Sequence, residues 1–309
     1  MKTAVIFPGQ GAQLIGMGRD VADAFPAARA VFDRADAALS LKLSDLCFEG
    51  PADRLNATDV SQPAIFVTSV AMWAALESAG IAREMTPGAM AGLSLGEYTA
   101  LHLAGWIEFE DALRLVARRG RLMQDAAESN PGSMVSLIGA TGEDAEALCQ
   151  AAADGEVLTP ANFNCPGQIV VSGSKAACDR ALRLAEARHL RAVPLVVAGA
   201  FHSALMSSAT EGLVSALNTT TIQPGEIPVV SNVTADYHGD PDSVRTRLAD
   251  QVSRPVLWQA TIERLVRDGF DRFVEVGPGR VLTGLMRKID RSVATTNYST
   301  AAAMEGVSA

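Results

Sequence analysis

Ala89-Met90-Ala91-Gly92-Leu93-Ser94-Leu95-Gly96-Glu97-Tyr98 is the stretch on which the fold of this chain turns. A short, small-residue strand candidate runs into a serine bracketed by glycines two positions away on either side. A helix-forming run follows from Tyr98 to Ala104, with apolar residues at Leu101, Leu103 and Ala104. A serine on such a strand-to-helix turn is held in a strained backbone conformation, its hydroxyl pushed out over the end of the sheet and the next amide aimed at an incoming carbonyl. The glycines leave room for the close crossing of strand and helix. Small residues also occur at ordinary strand-to-helix turns, so a purely structural reading stays open on this motif alone.

Working outward, strand-like runs at Thr3 to Phe7, Ala89 to Leu93, Pro194 to Val197, Pro228 to Ser231 and Arg272 to Val276 are each followed by turn residues and a helix-like segment. Strands alternating with helices predict an α/β sheet covered on both faces. The middle of the chain has a different order. Met134 to Gly139 reads as a strand, Glu143 to Ala153 as a helix, Val157 to Asn162 and Ile169 to Gly173 as strands, Lys175 to Arg188 as a helix, and Arg191 to Val197 as a strand. This β-α-β-β-α-β order predicts a ferredoxin-like subdomain over residues 131–197, inserted into a larger domain formed by residues 1–130 and 198–309. Two lobes imply a cleft, where ligands usually bind. The last stretch, Ser299 to Ala309, shows no packing pattern and reads as a loose tail.

Composition narrows the classes. With 309 residues, 48% hydrophobic and 20% charged, the chain has the balance of a compact enzyme rather than a disordered or fibrous protein. Met1-Lys2-Thr3 leads directly into a strand-like run, so no targeting segment and a cytoplasmic location are expected, and no apolar run has the roughly 20 residues of a membrane span. Cys47, Cys149, Cys165 and Cys178 lie far apart without a C-x-x-C pair, which favours free thiols over a metal site or disulfides. Neither metal nor cofactor is expected. A net charge of −9 argues against nucleic acid as a partner.

A serine hydroxyl needs a base within hydrogen-bond reach. Of the four histidines, His102 falls in the helix after the elbow, His189 in the basic run Arg188-His189-Leu190-Arg191, and His238 in the turn-like Tyr237-His238-Gly239-Asp240. His202 follows a strand-like run in Gly199-Ala200-Phe201-His202-Ser203 and opens a helix-like one, which places it on the same sheet edge as Ser94 if the strands are parallel. The glycine-bracketed turn Phe7 to Gln13 could bring backbone amides to join that of Leu95 in an oxyanion hole, although an ordinary tight turn fits equally well.

Arg119 follows from periodicity. On a helix from Glu108 to Ala127, at about 100° per residue, Phe109, Ala112, Leu113, Val116, Gly120 and Met123 share one face. Arg119 falls inside that arc, whereas Arg118 and Arg121 point away. A guanidinium directed into apolar surroundings costs several kcal/mol unless an anion meets it, and its planar fork suits a carboxylate. That anion is either an internal Asp or Glu or the free carboxylate of a substrate.

Together these residues resemble the malonyl-CoA:acyl carrier protein transacylases of fatty-acid and polyketide synthesis, and the resemblance runs across nearly the whole chain. The motifs stand in family order: Phe7-Pro8-Gly9-Gln10-Gly11, the elbow at Gly92 to Tyr98, Arg119-Gly120 with Met123-Gln124, Gly132-Ser133-Met134, Asn162 to Gln168, Phe201-His202-Ser203, Gln251 with Arg254 to Trp258, and Glu275 to Gly279 with Val281-Leu282. The resemblance implies a large α/β-hydrolase-like domain with a mostly parallel sheet plus the ferredoxin-like insert. It also implies a ping-pong transfer in which Ser94 takes a malonyl group from malonyl-CoA and passes it to the phosphopantetheine thiol of an acyl carrier protein. His202 would serve as base and then acid, oriented by the backbone carbonyl of Gln251 instead of a triad aspartate, so that the Gln251 side chain is expected to tolerate replacement. The amides of Gln10 and Leu95 would form the oxyanion hole, and Arg119, Leu93, Phe201 and Asn162 would contact the substrate, with Arg119 pairing the malonate carboxylate. A monomer is expected.

One departure concerns Leu93, where the family more often has histidine. Some members carry leucine there too, so the departure bears on acyl selectivity rather than on activity. Phe201 before the histidine resembles malonyl-selective members, because a branched acyl group would meet its bulk. Two rival readings remain: a serine esterase or thioesterase of the α/β-hydrolase class, which predicts an acidic triad partner and gives Arg119 no role, and a carrier-binding module without chemistry. Which pathway and which carrier protein are served stays open, as does a docking role for the basic runs Lys175 to Arg191 and Arg287-Lys288-Arg291.

Overall fold

The structure, a computed structural model, describes residues 1–305. Its strands are β1 (Thr3–Phe7), β2 (Ala89–Gly92), β3 (Gly132–Ile138), β4 (Leu158–Cys165), β5 (Gln168–Ser174), β6 (Arg191–Pro194), β7 (Arg272–Val276) and β8 (Ala294–Tyr298). They form two sheets. In the first, all parallel, the order is β2-β1-β7-β8; in the second, all antiparallel, it is β4-β5-β3-β6.

Alternation along β1 explains how the parallel sheet is covered. Val5 and Phe7 enter one hydrophobic core and Ala4 and Ile6 the other, because successive side chains point to opposite faces. Both faces are therefore dry, as a parallel sheet requires. One face carries the long helices Thr58–Ser78 and Phe109–Ser129, which pack on each other, and the other carries the helices Trp258–Arg267 and Val281–Ile289.

The antiparallel sheet and the helices Gly142–Ala153 and Lys175–Ala187 build a third core of their own around Val135, Leu137, Leu148 and Val171. The strand order matches the ferredoxin-like pattern expected for the insert. The two lobes are stitched together by the Arg254 to Trp258 motif: Val256 N donates to Ala161 O at 2.8 Å and Phe163 N to Val256 O at 2.9 Å, beside β4.

Three sequence expectations need correction. Pro228–Ser231 makes two isolated bridges, Val229 to Met90 and Val230 to Tyr237, rather than a strand, since Pro228 has no N–H to donate and the chain turns back at once, Ser231 N reaching Asp236 O at 2.9 Å. The run Pro194 to Val197 contributes only its first residue to a strand, and that strand, β6, belongs to the antiparallel sheet. The tail is not loose at its start: Ala301–Glu305 is helical, Ala301 and Met304 are buried, and Ala301 N donates to Asp20 Oδ2 at 2.7 Å. Residues 306–309 of that expected tail lie outside the described residues. A five-residue helix carries too little periodicity to be read from sequence, and β8, with its half-buried Thr295-Thr296-Asn297, offers no apolar run either.

All four cysteines are free and buried. No described helix is long and apolar enough to cross a membrane, and no group of three or more His, Cys, Asp or Glu side chains among the described residues could hold a metal ion.

Candidate active site

Ser94 sits between β2 and the helix Gly96–Leu103 with φ at 52°, in the left-handed region that non-glycine residues rarely occupy. The flanking glycines are required by contact. A methyl group on Gly92 would lie 1.9 Å from the carbonyl carbon of Gly96, and one on Gly96 would lie 2.2 Å from the Phe7 carbonyl oxygen. The strand, the turn and the helix thus cross at a distance that no side chain permits. Asn232 completes the turn: its Oδ1 accepts from the Ser94 amide at 2.6 Å while its Nδ2 donates to Gly92 O at 2.8 Å.

His202 reaches Ser94 by a route the sequence reading did not foresee. It does not leave a parallel strand of the large sheet; it lies on the loop returning from β6, and it too has a positive φ, 58°. Ser203 steadies that loop by donating to Ala200 O at 2.7 Å and accepting from Leu205 N at 3.3 Å. His202 Nε2 lies 2.9 Å from Ser94 Oγ, and Nδ1 lies 2.7 Å from the carbonyl oxygen of Gln251. Because a carbonyl only accepts, Nδ1 carries the ring proton and Nε2 of the neutral ring accepts from the serine hydroxyl. Burial, together with the neighbouring positive charge of Arg119, pushes the imidazole down to about 4 from its ordinary 6.5. The base is therefore neutral at physiological pH.

Arg119 projects from the helix Phe109–Ser129 and is 1% exposed, while Arg118 and Arg121 on the same helix are exposed. Its guanidinium donates to Gln62 Oε1 at 2.6 Å, Ser94 Oγ at 3.0 Å and Gln251 Oε1 at 2.9 Å, and lies 5.2 Å over the ring of Tyr98. Every direct partner is neutral. Among the described residues no carboxylate forms an ion pair with it, and its Nε has no partner at all. Burial disfavours the charge, yet an arginine stays protonated. The internal Asp or Glu that the sequence left open is absent from its contacts.

These groups face a cavity of about 770 Å³ between the lobes, lined by Ser94, His202, Gln10, Leu93, Asn162 and Phe201 among others. Six of the candidate site residues read from the sequence line this cavity, Gln251 and Arg119 stand just behind it against His202 and Ser94, and Leu95, next to Ser94 in the elbow, is fully buried outside the lining. The Phe7 to Gln13 turn is pressed against the elbow: a methyl group on Gly9 would fall 2.3 Å from Leu93 O. Geometry of this kind can activate a serine, receive an oxygen that develops charge and hold an acid by its carboxylate.

Residues 4–304 match the family model described as acyl transferase domain. A malonyl CoA-acyl carrier protein transacylase of Bacillus subtilis is 42% identical over 303 residues, covering 96% of this chain and 93% of that protein. The chain belongs to the malonyl CoA-acyl carrier protein transacylase family. The Escherichia coli (strain K12) member is 41% identical over 287 residues, 93% of this chain and 92% of its own. A malonyl-transacylase solved in complex with its type II polyketide-synthase acyl-carrier protein superposes with a TM-score of 0.95 at 38% identity, covering 99% of this chain and 98% of that one.

Within this family member, three participants escaped the sequence reading. Asn232 carried no motif signal, Glu97 lay inside the elbow motif without a role, and His238, read as part of a turn, is buried against Glu97 with His238 Nε2 2.8 Å from Glu97 Oε1. The Gln251 side chain is also more committed than a carbonyl-only role requires. Its Nε2 donates to Ser94 O at 3.0 Å and Glu97 Oε2 at 2.6 Å, and its Oε1 accepts from Arg119. Two of the three, Glu97 inside the elbow and His238 as a histidine next to a glycine turn, could have been flagged by residue type; their pairing could not.

Proposed function

We propose that the chain transfers a malonyl group from malonyl-CoA to the phosphopantetheine thiol of an acyl carrier protein through a malonyl-Ser94 ester. In the first half, Ser94 Oγ attacks the thioester carbonyl while its proton passes to His202 Nε2. The oxygen that becomes negative is received by the amides of Gln10 and Leu95. The C–S bond then breaks, and the departing CoA sulfur takes the proton from His202. In the second half the carrier thiol gives its proton to His202, its sulfur attacks the ester, and Ser94 regains the proton as it leaves. Water is the competing acceptor, and the apolar wall at Leu93 and Phe201 disfavours it.

The observation that carries this reading is the buried Arg119 without a carboxylate partner, bonded to the very oxygen that would be acylated. A malonyl group on Ser94 brings its own carboxylate to that guanidinium, which an acetyl group does not. An esterase gives such an arginine no work. The carrier protein as acceptor draws on the relative solved with its own carrier. A monomer acting in the cytoplasm completes the proposal.

Intact-mass measurement after incubation with malonyl-CoA tests the reading. The expected result is one malonyl group on Ser94, absent in Ser94→Ala and discharged by a phosphopantetheinylated carrier protein. Rapid release of free malonate without an acceptor, or no adduct, would overturn it.

A further inference from the structure

Under the elbow lies a carboxylate to which the transfer steps assign nothing. Glu97 stands in the first turn of the helix Gly96–Leu103 and is fully buried. Its Oε2 accepts from the backbone N–H of Asn232 at 3.0 Å and from Gln251 Nε2 at 2.6 Å; its Oε1 faces His238 Nε2 at 2.8 Å. Both side chains of the Glu97–His238 pair are wholly shielded from solvent.

The two donors on Oε2 belong to the residues that orient the reacting pair. Asn232 holds the Ser94 amide, and Gln251 offers its carbonyl to His202 Nδ1. Hydrogen bonds are electrostatically stronger away from water than in it, so a buried acceptor shared by two donors fixes both. We infer that Glu97, itself anchored by His238, is a positioning residue that holds nucleophile and base in register through Asn232 and Gln251, one layer removed from where a triad acid would stand. It touches neither Ser94 Oγ nor the imidazole. The inference rests on the transfer reading above.

Glutamine at position 97 can still receive Asn232 N and Gln251 Nε2 on its amide oxygen. Its NH₂ then meets His238, which must accept at Nε2 and move its proton to Nδ1, an atom without a partner among the described residues. Positioning should therefore survive Glu97→Gln and fail in Glu97→Ala.

The experiment is steady-state malonyl transfer to carrier protein together with single-turnover acylation read by intact mass. Glu97→Ala is expected to lower kcat about 100-fold, the scale of a misplaced reacting group, with KM for malonyl-CoA within about threefold. Glu97→Gln should recover most of that loss. Adding Gln251→Ala to Glu97→Ala should cost little more than the worse single change, since one acts through the other. A loss carried by KM, a Glu97→Gln variant as poor as Glu97→Ala, or losses that multiply in the double variant would each overturn the inference. Should Glu97→Ala not fold, His238→Leu decides: it removes the donor on Oε1, and an unchanged kcat refutes the anchoring role, whereas a fall of about tenfold at constant KM supports it. A wild-type adduct on Ser94 in the same assay separates failure here from failure of the transfer reading.

Discussion

Arg119 and His202 are coupled through charge as well as through Ser94. The guanidinium lies beside the nucleophile, and its positive charge is one of the two causes that hold the imidazole near 4. On the proposed reading a substrate carboxylate is the partner of this guanidinium, so Arg119→Ala should lower kcat/KM for malonyl-CoA by about 100- to 1,000-fold, the cost of breaking a buried charge pair, and that for acetyl-CoA by less than about tenfold. Parallel assays with the two thioesters check this, and equal losses would remove the carboxylate assignment. The pH dependence follows with a definite sign. An imidazole serves as base only when neutral, so on the proposed reading single-turnover acylation of Ser94 should rise through about pH 4 and stay level from there to neutrality. Removing the Arg119 charge favours the protonated ring, which moves the acid limb upward, though not to the ordinary 6.5, because burial is the larger cause and remains. A limb that does not move in Arg119→Ala, followed with acetyl-CoA, would contradict the coupling.

Strand, turn and helix meet at the elbow with no room for a side chain. A methyl group added at Gly96 meets backbone at the end of β1 and just beyond it, Phe7 O at 2.2 Å and Pro8 O at 2.9 Å, and neither can rotate away. Gly96→Ala should therefore cost about 1–3 kcal/mol in stability, as overpacking does, and lower acylation of Ser94 by shifting β1 away from the turn. Gly284→Ala is the matched control: it lies inside the helix Val281–Ile289 with nothing within 4 Å of the added methyl, and should be neutral or stabilising by up to about 1 kcal/mol on helix propensity. Thermal and denaturant unfolding of the two variants gives the comparison. The same element scale accounts for the sequence errors. β1 and β2 are short, mostly apolar runs and β7 has Phe273, Val274 and Val276 among its five residues, so all three are legible as strands, whereas β8 and the helix Ala301–Glu305 depend on neighbours for their burial and carry no periodic signal.

Across the whole molecule, the cavity lies where the small lobe, with a core of its own, is joined at β4 and Val256 to the large lobe with its two cores, leaving Ser94 and His202 facing the gap. The sequence displays most plainly the features whose geometry is local. The elbow needs only its two glycines and a serine, and the inward direction of Arg119 needs only 3.6 residues per turn. What the chain alone could not display is how its returns bring distant groups together. Ser94 and His202 are 108 residues apart, Glu97 and His238 141, and Gln251 and Ser94 157. Sequence by itself determined the strand-turn-helix serine, the buried arginine and the order of the two lobes, since propensity, periodicity and steric space act over a few residues. Only the tertiary structure decided that His202 arrives from the antiparallel lobe, that Arg119 has no carboxylate partner among the described residues, and that Glu97 ties Asn232 and Gln251 beneath Ser94, because hydrogen-bond partners in a dry interior are chosen by where the folded chain returns.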